Sequence, residues 1–487
     1  MTDNTISRRE FIKRAGVGAA GLALTSFGVL PSEAADERPN IIFAIADDWM
    51  FPHAGAYGDK VVKTPTFDRV ASEGVLFNNS FCAAPTCTAS RAGILTGQAI
   101  HRLEEGGNLN GFLPSRFAVY PDLLETAGYF VGTTGKAWAP GTLEGSGRTC
   151  NPAGPGFRDF KTFMEQAPKD KPFCFWFGST NPHRPYTKGK GLEAGMKPED
   201  VEVPAFLPDT QEVREDILDY YEEVQQFDAQ VAEVLKVLEA SGKAQNTIVV
   251  ITSDNGMPFP RAKANLYEAG THMPLAIRWP AKIKGGRKVD DLVSHTDFAP
   301  TFLELAGLKP KPDMTGMSLA GVLLQDKPLG REAVFTERER HARVRENNVG
   351  YPCRAVRTKD FLYIRNFFPE RWPAGDPNET GGFGDIDGSP TKDLLLKKRD
   401  DKKIAPFFKR ACEKRPEEEL FDLREDPWAV HSVANVPEYA DIRKQMRAML
   451  DKWMKGTADP RAANPRDERW DKFEYFGKKA APTPAKK

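Results

Sequence analysis

Histidine is scarce in this chain, with seven among 487 residues, and none stands in a D-x-H or H-x-H pattern. That counts against a two-metal hydrolytic centre built on several histidine ligands. Cysteine is as sparse: six, at positions 82, 87, 150, 174, 353 and 412, with no C-x-x-C pair. A structural zinc site is thereby disfavoured. Net charge is missing too, since Lys+Arg and Asp+Glu each number 68. No global basic field of the kind nucleic acid requires exists, so an anionic ligand must be held by local positive charge. No segment offers the roughly 20 apolar residues that span a bilayer. What remains, 40% hydrophobic and 28% charged residues, is the composition of a soluble globular protein. A prior of roughly 100–200 residues per domain suggests two or three units.

The N-terminus reads as an address. Arg8-Arg9 precede an uncharged Ala/Gly-rich stretch from Ala15 to Leu30, and Ser32-Glu33-Ala34 offers a small-x-small cleavage point. This is the pattern of a twin-arginine (Tat) signal over residues 1–34, with export to the periplasm or the exterior by the Tat machinery. Gly16-x-Gly18-x-x-Gly21 matches a dinucleotide fingerprint only as a string, because no strand precedes it. In an exported chain disulfides could form, but mostly free, buried thiols are expected.

From Arg38 apolar runs alternate with amphipathic segments, the signature of an α/β protein with a mostly parallel sheet between helices. Strands are expected at Asn40 to Ala46, Leu76 to Ala83, Phe173 to Gly178, Thr247 to Thr252, Pro274 to Trp279 and Leu292 to Ser294. Helices are expected at Thr66 to Glu73 and Asp209 to Ala240. The catalytic portion is assigned to 36–330. Short strands separated by charged loops then predict an antiparallel-sheet subdomain over 331–460 with a helix from Tyr439 to Met454. Residues 461–487 are expected as a partly disordered tail.

Two expected strands end in acids, Asp47-Asp48 and Asp254-Asn255. In an open parallel sheet ligands sit beyond the carboxyl ends of strands. Three carboxylates and an amide meeting there would make an all-oxygen site for one hard cation, Ca²⁺ more naturally than Mg²⁺. The alternative is that each pair caps a turn.

Cys87-Thr88-Ala89-Ser90-Arg91, followed by Leu95-Thr96-Gly97, resembles the signature of type I sulfatases, in which the cysteine is oxidised by a formylglycine-generating enzyme. The resemblance runs from about Arg38 to Asp459 and implies the alkaline-phosphatase/sulfatase-like fold. It implies metal ligands at Asp47, Asp48, Cys87 as formylglycine, Asp254 and Asn255. It further implies sulfate-binding cations at Arg91, Lys136 and Lys263, and a leaving-group acid at His183. Such an enzyme takes a sulfated carbohydrate, with no nucleic-acid partner and no membrane span. The stretches SDNGMPFP (253–260), NLYEAGT (265–271), NPHR (181–184) and YPCRAVR (351–357) are most similar to the members that remove N-linked sulfate from glucosamine, the heparan N-sulfatases. An O-sulfatase of another polysaccharide is the alternative, ahead of a phosphoric ester hydrolase on the same fold or a non-catalytic glycan-binding protein.

Two positions depart from the family pattern. Trp138 stands two residues after Lys136, where many members have a histidine, and Trp cannot accept a proton. Lys263 stands where the heparan N-sulfatase likeness implies arginine. His101 and His53 are expected to take over as base, with His101 also expected to bind substrate. Glu104-Glu105 and the aromatic, basic stretch Asn366 to Trp372 are further candidates for sugar contacts. Asp385-x-Asp387-Gly388 is too short of ligands for a calcium loop.

Overall fold

A computed structural model describes residues 38–377 and 382–477; the twin-arginine segment lies outside them. The apolar runs form the centre of an eight-stranded sheet. Its strands are β1 (Asn40–Ala46), β2 (Val75–Phe81), β3 (Phe130–Gly135), β4 (Phe173–Gly178), β5 (Thr247–Ser253), β6 (His272–Arg278), β7 (Arg287–Val289) and β8 (Val293–Ser294). The order is β3-β4-β1-β5-β6-β2-β7, with β8 also beside β2. All neighbours are parallel except at β6, which runs antiparallel to β5 and β2.

Strand β1 is apolar throughout because both faces of the sheet are covered. Ile42, Ala44 and Ala46 pack with the helix Gln211–Ala240, whereas Ile41, Phe43 and Ile45 pack with the helices Cys87–Thr96, Tyr120–Thr126 and Phe298–Leu305. This is the two-residue period of a strand between two cores. The 30-residue helix Gln211–Ala240 starts where Thr210 accepts from the Val213 amide, an N-cap that satisfies one otherwise orphaned donor. Strand β3 was not expected; its sequence FVGTTG has too few apolar residues to be read as a buried strand.

A second sheet is antiparallel throughout: β9 (Val334–Arg338), β10 (Cys353–Arg357), β11 (Phe361–Asn366) and β12 (Glu418–Asp422), in the order β12-β11-β10-β9. Met446, Leu450 and Met454 of the helix Ala440–Gly456 pack against Val356, Tyr363 and Leu420. The described residues, all from Arg38 onward, make up one compact unit. The chain from 461 to 477, expected as tail, is folded: Arg461 and Trp470 are buried, and Asn108 donates to the Trp470 carbonyl. Residues 478–487 lie outside the described residues. The six cysteines are free and all but Cys150 are buried.

Candidate active site

The site follows from the register of two strands. β1 and β5 are parallel neighbours with Ala46 opposite Ser253, so Asp47-Asp48 and Asp254-Asn255 leave the same edge side by side. Asp48 turns with φ of 79°, a left-handed conformation that Asp tolerates better than most residues. Its amide donates to Asp254 Oδ1 at 3.1 Å, as does the Asn255 amide at 2.8 Å. One carboxylate therefore braces both turns. Trp49 N donates to the Ser253 hydroxyl at 2.7 Å, which donates to the Asn255 carbonyl at 3.0 Å.

Cys87 begins the helix Cys87–Thr96 and faces these acids. Its sulfur and one oxygen each from Asp47, Asp48 and Asp254 lie within 4.8 Å of one another. Arg91, one turn on, is fully buried. Its Nε donates to Asp254 at 2.8 Å and its Nη1 to the carbonyls of Lys136 and Ala137; Nη2 lies 3.8 Å from Asp47 and makes no hydrogen bond. Lys136 Nζ pairs with Asp47, and Lys263 Nζ pairs with Asp48 at 2.7 Å and Asp387 at 3.2 Å. His183 brings Nε2 to 3.9 Å from Asp48, while its Nδ1 meets the Arg184 carbonyl at 2.5 Å. A carbonyl only accepts, so Nδ1 carries the hydrogen. Nε2 then holds a transferable proton only in the imidazolium form.

The loop bearing His183 is pinned from the long helix. Arg184 makes two hydrogen bonds to Asp216, at 2.8 and 2.9 Å, and Asp216 also accepts from the Thr391 hydroxyl at 2.6 Å. Asp216 thus ties that loop and the segment following Asp387 to one helix face.

Electrostatics at the cluster are severe. Burial works against the charge on Asp47, yet Lys136, His183, Arg91 and Lys263 hold its carboxyl well below the ordinary range. Burial pushes Asp254 up to about 6, with Arg91 opposing and Asp47 reinforcing the rise. Burial and the Asp47 charge raise the Cys87 thiol well above its usual value despite Lys136 and Lys263. An unmodified thiol here stays protonated and is a poor nucleophile. The side-chain oxygen of Asn255 is buried without a hydrogen-bond partner, while its Nδ2 donates to Asp48 at 2.6 Å. A bare buried acceptor beside three carboxylates fits a hard divalent cation, which would satisfy the oxygen and offset the like charges.

The cluster opens into a cleft of about 600 Å³ whose lining includes Asp47, Cys87, Lys136, His183, Lys263, Glu223, His341 and Asp387. The last three were not anticipated as site residues. His341 Nδ1 lies 2.7 Å from the Thr86 hydroxyl, next to position 87, and burial pushes its imidazole down to about 4. Asp385 and Asp387 part company: Asp385 pairs with Arg338 and Arg345 inside the fold, and only Asp387 reaches the cleft. Glu223 reads in sequence as the solvated face of a helix.

The structure does not bring His101 or His53 to the cleft. His101 Nδ1 bonds Glu337 of β9 at 2.7 Å and its Nε2 meets the Thr457 carbonyl, just after the helix Ala440–Gly456, at 3.2 Å, so both nitrogens are engaged. His53 is held by Asp59 and Tyr221. Both were expected as bases because they flank the nucleophile segment in sequence, but the fold carries them elsewhere. Trp138 packs in the hydrophobic core. Phe367 and Phe368 are buried against the helix Ala440–Gly456 and its sheet, so the stretch from Asn366 is no sugar platform. Glu104 pairs with Arg116 and is absent from the cleft lining.

Residues 39–145 and 156–308 match the Sulfatase family, and residues 261–379 match the family "N-sulphoglucosamine sulphohydrolase, C-terminal". The chain is 29% identical to an ulvan-active sulfatase of Formosa agariphila, across 87% of this chain and 76% of that protein. It is 30% identical to human N-sulphoglucosamine sulphohydrolase, across 87% and 91%. A solved structure captured with its substrate D-glucosamine-2-N,6-O-disulfate superposes with a TM-score of 0.65 at 21% identity, covering 90% of this chain and all of that one. Among the described residues no helix is long and apolar enough to cross a membrane. With a mostly parallel sheet, an acid-and-cation cluster at its carboxyl edge and family matches over most of its length, this chain belongs to the sulfatase family and is a sulfuric ester hydrolase of sulfated glycans.

Proposed function

We propose that this protein is an exported, formylglycine- and Ca²⁺-dependent sulfatase whose preferred substrate is the N-sulfated glucosamine of heparan sulfate or heparin. The observation that carries the chemistry is Cys87 at the head of its helix, within 4.8 Å of three carboxylates and too strongly held as a thiol to act unmodified. Asp47, Asp48, Asp254 and Asn255 would hold the cation, with position 87 completing the set. The cation and the hydrated aldehyde supply an oxygen nucleophile at neutral pH.

The remaining work falls to the chain's own side chains. Arg91 Nη2, Lys136 and Lys263 supply positive charge for the sulfate oxygens, and the helix amides after Cys87 add partial positive charge. Lys136 and Lys263 must turn part of their pairing from Asp47 and Asp48 toward that anion. His183, oriented through Nδ1 by the Arg184 carbonyl, gives its Nε2 proton to the leaving atom. His341, engaged through Nδ1 by the Thr86 hydroxyl, presents Nε2 to take a proton beside position 87, the role Trp138 cannot fill.

The preference for N-sulfate rests on the 30% identity to the human sulphohydrolase and on the match of residues 261–379. The similar identity to an ulvan-active sulfatase supports a second reading, an O-sulfatase of an algal polysaccharide. Arg8-Arg9 support export by the Tat route, with a formylglycine-generating enzyme as the maturation partner. Peptide mass analysis of secreted protein should show an aldehyde in place of the thiol at position 87. The matured protein should release sulfate from glucosamine N-sulfate faster than from ulvan. An intact thiol in fully active protein refutes the nucleophile, and the reverse preference refutes the substrate.

A further inference from the structure

The cleft carries two carboxylates that the cation cluster does not use. Asp387 Oδ2 bonds Lys263 Nζ at 3.2 Å, and an oxygen of Asp387 lies within 4.8 Å of a His183 ring nitrogen and an Asp48 oxygen. Glu223, half-buried on the long helix, accepts from Asn181 Nδ2 through Oε2, and no protein donor reaches its Oε1 among the described residues. Both loops that meet these acids are fastened to the same helix through Asp216, by Arg184 on one side and Thr391 on the other. Asp387 is thus held beside His183, and Glu223 beside Asn181 of the same loop, with both acids lining the cleft.

Ionised carboxylates accept hydrogen bonds from hydroxyl and ammonium groups and repel other carboxylates. Hydrolysis of a sulfamate breaks the S–N bond and forms an S–O bond with water's oxygen. The two protons of that water pass to nitrogen, so the products are an ammonium and a sulfate dianion. Positive charge thus grows on nitrogen near His183, where an acidic wall stabilises it. A uronate ring in the same place would set its own carboxylate against Asp387 and Glu223.

We propose that Asp387 and Glu223 select an amino sugar over a uronate as the ring bearing the scissile sulfate, by accepting hydrogen bonds from its hydroxyl and amine groups. This rests on the sulfatase chemistry proposed above for position 87. The test compares matured, Ca²⁺-loaded full-length protein with Asp387→Asn and Glu223→Gln. Glu223→Gln leaves the Lys263–Asp387 pair in place, so it separates sugar recognition from a change in that cation. The readout is the ratio of kcat/KM for glucosamine N-sulfate to that for 4-nitrophenyl sulfate, which has no sugar. The ratio should fall at least fivefold in both variants; a smaller fall in either one overturns the proposal. Equilibrium binding of glucosamine and glucuronate to unmatured protein, with and without the two substitutions, provides a second readout, independent of turnover. Tighter binding of glucosamine supports the proposal, and equal or tighter binding of glucuronate overturns it. If wild-type protein releases sulfate from neither substrate, the chemistry at position 87 fails, while the binding comparison still decides the role of the two acids.

Discussion

Two of the buried clusters of charge among the described residues differ in one telling respect. Around β9 and β10, Glu337, Glu339 and Asp459 are matched by Arg354, Arg461 and His101, with contacts of 2.7 Å for Arg354–Asp459, Arg354–Glu339 and His101–Glu337. At the carboxyl edge of the large sheet, Asp47, Asp48 and Asp254 meet Arg91, Lys136 and Lys263. Both contain acidic groups close enough to share an ion. In the first, no side-chain polar atom is left without a partner; in the second, Asn255 Oδ1 and Arg91 Nη2 are. Buried charge alone does not mark function. An incomplete set of partners beside a cleft does, because leaving such groups unpaired is costly unless a ligand completes them.

The comparison breaks if the closed cluster proves dispensable to folding. Arg354→Ala takes the guanidinium from Asp459 and one of two from Glu339, and should cost about 3–5 kcal/mol in urea unfolding, with KM of the folded fraction unchanged. Arg91→Ala should instead cut kcat/KM by about 10²–10³-fold, as loss of one preorganised donor to a developing anion does. Its stability loss should be smaller than that of Arg354→Ala, because cation and solvent reach its neighbours through the cleft. Ca²⁺ at about 100 times its dissociation constant should stabilise the protein by about 2.7 kcal/mol. A calorimetric shift of that kind should vanish in Asp254→Asn and persist in Glu339→Gln.

The smallest expected effect belongs to His101. Burial works against its charge, but Glu337 and then Asp459 raise its pKa above the ordinary value. A raised folded pKa gives stability that is fully present below the unfolded value of about 6.5 and is lost as pH rises through the folded one. Unfolding free energy should therefore decline with pH above about 6.5, and His101→Asn should remove that part of the decline.

The acids and the Cys87–Arg91 segment of the open cluster were legible in the sequence because each is local, whereas Lys136 and Lys263 followed only from the family resemblance. IIFAIA and TIVVIT are apolar runs that stop at acids, and the segment from Cys87 to Arg91 is a short helix opening with fixed spacing. Parallel pairing of β1 with β5 then brings distant segments together, and the strand-end rule anticipates that convergence. What stayed hidden depends on packing at long range. Asp387 and His341 come from loops of the second half, and nothing in DGS or ERERHAR reports that they fold over position 87. Glu223 sits on an amphipathic helix where acids are ordinary. His101 misled because nearness in sequence to the nucleophile helix was taken for nearness in space, whereas Glu337 of β9 draws it into the closed cluster. Phe367, Phe368 and Trp470 misled for a related reason: charged neighbours gave an exposed look to side chains that are buried.

The central claim is that turnover happens at the open cluster through a converted residue 87. The most direct measurement is sulfate release from glucosamine N-sulfate by matured protein and by Cys87→Ala, with melting temperatures taken in parallel. The account predicts release by the parent, at least a 10⁴-fold loss in the variant, about the scale of removing a catalytic nucleophile, and closely similar melting. Comparable release by a folded Cys87→Ala protein would contradict it.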